Sequence, residues 1–157
     1  NSKTAEARNS IGQMAKDASA AYNREGMSAA ILAMGSSTGV SNHLCGTATL
    51  SVPTAVASIQ GKKYQSQPTE WAAGDASNGW TCLKFSMQDP QYFMYTYVSS
   101  GTTGLKDDKF TAGAHGDLDG NGTTSDFTLL GQIAADTTSG TLVVTIAPNI
   151  QENKPDE

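Results

Sequence analysis

The stretch SKTAEARNSIGQMAKDASAAYNR, Ser2–Arg24, decides the fold class. It holds no proline and one glycine, Gly12, among Ala, Lys, Arg, Glu, Gln and Met, all good helix formers. Ala7, Ile11, Met14, Ala18 and Ala21 recur at steps of four and three, with Tyr22 beside the last, so they line one face of a helix. Lys3, Glu6, Lys16 and Asp17 fall off that face. The spacing predicts a helix over residues 1–25 that stops near Gly26, because glycine commonly sits just past a helix end. Its stripe is thin and alanine-rich, which lets a sheet approach closely but buries less apolar area than leucine would. A second short helix is expected at Met27–Met34, before Gly35 and Ser36.

Outward from the helix, residues 26–79 read as one long connection. Ser, Thr, Gly and Asn dominate from residue 35, with Pro53, Pro68 and short apolar pieces such as Ala48–Val52, which leaves room for one strand. Loops of this length are either functional or fastened down. Cys45 lies inside the connection and Cys82 just beyond it. The pair reads as a disulfide or as two buried thiols; with no CxxC, zinc and redox catalysis are weakly supported. A bridge would add roughly 3–4 kcal/mol in the chain-entropy model and place the chain in an oxidising compartment.

Residues 80–148 then carry a β pattern. Strands are expected at Trp80–Met87 and Gln91–Ser99, joined as a hairpin by Asp89-Pro90, with Tyr92, Met94 and Thr96 on the face opposite Phe93, Tyr95 and Tyr97. Gly101–Asp108 reads as a loop, Phe110–Leu118 and Ser125–Ile133 as further strands, and Thr141–Ala147 as a fifth ended by Pro148. Residues 149–157 form a charged tail, expected to fray. One helix followed by successive strands implies an α+β arrangement, a single domain over 1–157 with the helix covering an antiparallel sheet of four to five strands.

The charge balance narrows function. With 157 residues and a net charge of −5, its ten Lys and Arg scattered, the chain offers no basic patch for nucleic acid or an anionic membrane. No signal peptide and no apolar run long enough to span a bilayer occur, so as given it neither crosses nor anchors in one.

The strongest local motif is Asp117-Leu-Asp-Gly-Asn-Gly-Thr-Thr-Ser-Asp126. Asp117, Asp119 and Asn121 with Gly120 between them supply oxygen at the spacing of a calcium loop, Thr123 adds a carbonyl and Asp126 closes the shell. Thr128 stands where an EF-hand has its bidentate glutamate, so the loop is not an EF-hand. The competing reading is a Gly/Asn hairpin turn whose carboxylates bond their own backbone. Bound calcium would be held weakly, at about millimolar to tenths of millimolar. Asn121-Gly122-Thr123 also matches a glycosylation acceptor, a pattern too short to weigh. His43 and His115 lack partners at a catalytic spacing and read as structural, and no phosphate loop is present. No catalytic residue is assigned, and the chain is read as a non-enzyme that requires no cofactor beyond the calcium considered above.

The helix Ser2-Lys-Thr-Ala-Glu-Ala-Arg-Asn-Ser-Ile-Gly through Tyr22 resembles the second half of the N-terminal helix of type IV pilins and pseudopilins. Pilins of the deltaproteobacterial kind look similar again at Cys82-Leu-Lys-Phe-Ser, at Tyr92–Tyr97 and at Gly116-Asp-Leu-Asp-Gly-Asn-Gly before Ser-Asp-Phe. The resemblance implies a pilin-like head domain with a long αβ-loop, exposed on a bacterial filament outside the cell. It implies other pilin subunits as partners, joined through an apolar helix half and an early glutamate that this sequence does not contain, and a precursor held in the inner membrane. Many pilins bridge near the C-terminus, whereas a bridge here would join the αβ-loop to an early strand. Two other readings are a type II secretion pseudopilin, in which a calcium site at the Asp117 loop would be essential, and a secreted calcium-dependent module that recognises carbohydrate or mediates adhesion through its aromatics.

Overall fold

The computed structural model describes residues 2–24 and 42–156. The expected helix Met27–Met34 lies outside the described residues. The chain forms α1 (Ser2–Asn23), a 3-10 turn (Val56–Ile59), α2 (Pro68–Trp71), α3 (Gly79–Leu83) and strands β1 (Met94–Ser100), β2 (Lys109–Gly116), β3 (Ser125–Ala135), β4 (Leu142–Ile146) and β5 (Gln151–Asn153). It is an α+β fold with one antiparallel five-stranded sheet, in which β5 shares the flank of β3 with β4 and the order is otherwise β1-β2-β3-β4.

Helix α1 buries Thr4, Ala7, Ile11, Met14, Ala15, Ala18 and Tyr22, the stripe its spacing predicts with Thr4 and Ala15 added and Ala21 at its margin. It lies across β2 and β3 and touches α3 and β4. The sheet meets it with alternate residues: Phe93, Tyr95 and Tyr97 around β1, Phe110, Ala112 and Ala114 of β2, and Phe127, Leu129 and Ile133 of β3 are all buried. Gly131 belongs to the same face, and a Cβ there would lie 2.1 Å from the Phe110 ring, so the aromatic fits only over glycine. Glu6 joins the layers, accepting hydrogen bonds from the Tyr92 N–H at 3.1 Å and the Tyr95 hydroxyl at 2.7 Å. Burial pushes its carboxyl upward, and these two bonds partly oppose that.

Two expectations need correction. Trp80–Met87 is not a strand: α3 occupies its first half, and Lys84, left-handed at φ 59°, closes the helix with its N–H on the Trp80 carbonyl. A short apolar run is ambiguous between strand and helix, and here Trp80 and Leu83, one turn apart, are both buried. Asp89-Pro90 therefore joins no hairpin. With β2 on one side of β1, the connecting loop meets the other edge of β1 and of the residues leading into it, through Val52 opposite Tyr95, Tyr64 opposite Gln91, and the Ala48 N–H on the Tyr97 carbonyl at 3.0 Å. The polar connection thus covers an edge that would otherwise present unpaired backbone.

The tail is the second correction, because Gln151–Asn153 pairs with Asp126–Thr128 instead of fraying. From Ile146, opposite Gly131, to Gln151, opposite Thr128, the edge advances five residues against three on β3. The two spare residues form a bulge around Pro148, where a missing N–H costs no ladder bond. Beyond it, Ile150 packs on the core, and Glu152 accepts the Arg8 guanidinium at 2.6 Å.

Cys45 and Cys82 form a disulfide with Cα atoms 5.8 Å apart. It ties the loop to α3, not to an early strand. Arg24, at the end of α1, donates to the Cys82 carbonyl, so helix end, loop and α3 meet at one point.

Candidate functional site

The aromatics do not form an exposed stacking face. Trp80, Phe85, Phe93, Tyr95 and Tyr97 are buried, and Trp80 packs against Trp71 at 5.0 Å between ring centres. Tyr92 is half-buried, and Lys3 and Lys63 stand 5.1 and 5.5 Å from its ring centre.

Polar chemistry gathers at two places, both set by the β2–β3 hairpin. On the sheet face away from α1, His115 is directly opposite Asp126. Its Nδ1 lies 2.6 Å from the Asp126 carboxylate, and its Nε2 lies 3.3 Å from the Thr96 hydroxyl on β1. Gly113 makes room, since a Cβ there would come within 2.4 Å of the Thr96 Oγ1 and 3.1 Å of the His115 Nε2. With the proton on Nδ1, the imidazole accepts the Thr96 hydroxyl proton, giving hydroxyl, base and carboxylate in the order used by acyl-transfer enzymes. The three side chains form one hydrogen-bonded row across β1, β2 and β3. Chain spacing hid these partners, although His115 and Asp126 are equidistant from a turn centred on Gly120-Asn121.

That turn is the second cluster. The Asp117 side chain is buried, and its Oδ1 accepts the N–H groups of Gly120 at 2.8 Å and Asn121 at 3.1 Å. Its Oδ2 accepts the Gly122 N–H at 2.8 Å and the Gln60 side-chain amide at 3.1 Å. The Asp117 carbonyl accepts the Gly61 N–H, so the turn is also stitched to the connecting loop. Asp119 takes the Asn121 N–H at 3.1 Å and its Nδ2 at 2.9 Å, and the Asn121 Oδ1 accepts the Thr123 N–H at 2.7 Å. Gly120 and Gly122 have φ of 75° and 89°, in the left-handed region where glycine carries no Cβ penalty. The structure thus brings Asp117, Asp119, Asn121 and Thr123 into one loop and places Asp126 apart, on the strand against His115. Among the described residues, no group of three or more His, Cys, Asp and Glu is placed to hold a metal ion.

Burial works against ionisation of Asp117, but hydrogen bonds from the Gly122 N–H, the Gln60 side-chain amide and the Gly120 N–H outweigh it and hold the carboxyl below its usual value. A depressed folded-state value contributes stability that is present above the unfolded value, about 4, and is lost as pH falls through the folded one. Asp117→Asn is expected to melt lower at neutral pH and to flatten the acid limb of midpoint against pH; equal acid limbs would contradict this. In the same melts, calcium bound at the loop would raise the wild-type midpoint over that in chelator and leave Asp119→Ala unmoved. No shift at millimolar calcium, with Asp119→Ala behaving like wild type, leaves the turn alone.

No family model, no curated protein and no solved structure matches this chain.

Proposed function

We propose that the chain is the head domain of a structural subunit in a bacterial type IV pilus or pilus-like filament. The observation that carries this reading is α1, laid by an alanine-rich stripe across an antiparallel sheet, with a disulfide-fastened connection closing the sheet's first edge. In such a subunit an apolar helical segment leads into α1 and buries in the filament core, while the head makes lateral contacts through the connecting loop and the β4–β5 edge. Surface filaments outside the cell face shear and oxidising conditions, and a disulfide suits both. The work is mechanical: the reading asks for other subunits as partners and for no catalytic group. The Asp117 turn, whose carboxylate is already filled by N–H donors, serves in this reading as a latch between hairpin and loop.

The residues encoded ahead of Asn1 test the proposal. A short basic leader followed by an apolar helical stretch with a glutamate near its start is expected. An ordinary secretory signal there would overturn it in favour of a secreted binding module.

A further inference from the structure

We infer that Asn121 is a latent self-modification site whose reaction is held off by Asp117. In an Asn-Gly pair, the glycine nitrogen attacks the asparagine Cγ. The N–H proton departs with the side-chain amide as ammonia, and water opens the resulting imide to aspartate or isoaspartate. Glycine makes this easy because no Cβ shields its nitrogen, and it is one reason asparagine counts as thermolabile.

Asn121-Gly122 has the composition for this chemistry, at an exposed hairpin tip. The loop opposes it at both reacting groups. The Gly122 N–H donates to the Asp117 Oδ2 at 2.8 Å, so the proton that must leave is held in a charge-assisted hydrogen bond and the peptide carrying it is fastened to the turn. The Asn121 amide is tied at both ends, Nδ2 to Asp119 and Oδ1 to the Thr123 N–H. When the latch opens, the Gly122 N–H is released and the Asn121 amide is left with its ties to Asp119 and Thr123 alone. The product adds a negative charge beside Asp117 and Asp119, and isoaspartate adds a backbone methylene to a turn whose N–H groups converge on one carboxylate. Modification therefore prevents the latch from closing again, and the hairpin records how long it has been open.

The chain contains its own control. Asn78-Gly79 is a second such pair, and the Gly79 N–H is held by the Gly46 carbonyl at 3.0 Å, next to the disulfide and independent of Asp117. Peptide mass mapping of the purified protein in mildly alkaline buffer, beside a peptide of residues 117–125, reads the rates. Asn121 in the folded protein is expected to react at least about tenfold more slowly than in the peptide, and about tenfold faster in Asp117→Ala than in wild type, the scale of losing a charge-assisted hydrogen bond. Asn78 is expected to keep its rate in the variant. Equal rates in protein and peptide would overturn the inference whether or not the variant folds. An Asp117→Ala rate no faster than wild type would overturn it too, as would equal acceleration at Asn78, which marks general loosening of the fold.

Discussion

Trp80→Ala is expected to cost about 3–5 kcal/mol, the usual range for removing a large buried aromatic, and to lower the melting midpoint by roughly 10 °C for a domain of this size. Trp80 is 1 % exposed and fills the space between Trp71, Phe85 and the connecting loop. Its indole N–H donates to the Leu50 carbonyl at 2.9 Å. Alanine therefore leaves a cavity and also strands a carbonyl on the loop that closes the β1 edge. Trp80→Phe refills much of the volume without the donor, and the difference between the two variants reads the packing apart from the hydrogen bond. A midpoint in Trp80→Ala within a degree or two of wild type would show that α3 is not part of the cooperative core.

The disulfide carries the second large effect. Replacing Cys45 and Cys82 together by serine is expected to remove about 3–4 kcal/mol, the chain-entropy scale for a loop of this length. The cost should fall mainly on the connection. The Tyr97 hydroxyl donates to the Cys45 carbonyl at 2.9 Å and the Gly46 N–H to the Ser77 carbonyl at 2.9 Å, and both contacts sit beside the bridge. Hydrogen exchange should therefore rise first at Gly46, Ala48 and Val52, while β2 and β3 stay protected. Uniform loss of protection across the sheet would mean that the bridge supports the whole fold. Alkylation of both cysteines without prior reduction would mean that no bridge exists in the isolated protein.

Trp80 and Cys82 both lie on α3, the element that chain pattern alone misplaces. The helix α1 was legible because its stripe runs over several turns, and β2 and β3 because alternate residues face a helix on one side and solvent on the other. The aromatic alternation from Tyr92 to Tyr97 fixed the two faces around β1 for the same reason. Five residues of α3 span little more than one helical turn, too short for any period to register. The strand β5 was hidden behind Pro148, which reads as a terminator until the bulge shows that the edge resumes. Pairing of the loop with β1 is non-local: the apolar piece Ala48–Val52 left room for a strand but did not name its partner, and no local pattern marks Tyr64. The Asp117 loop was recognisable from its residue types, but those residues fit both a cation site and a self-bonded turn, and sequence alone does not show that the N–H groups of Gly120, Asn121 and Gly122 converge on the Asp117 carboxylate. Thr96, His115 and Asp126 become neighbours only through register, a property of the sheet and not of any one segment.

These features describe a fold fastened at several points: a helix pinned to the sheet by Glu6 and Arg8, a first edge covered by a fastened loop, and a hairpin latched to that loop by Asp117. The filament proposal makes the head one repeated unit of a surface polymer. Gold-labelled antibody raised against the purified domain, applied to whole cells of the source organism and viewed by electron microscopy, tests that most directly. The proposal predicts gold along thin surface filaments, lost from cells in which this gene is deleted. Gold confined to the cell envelope or the medium, with filaments unlabelled and unaffected by the deletion, would contradict it.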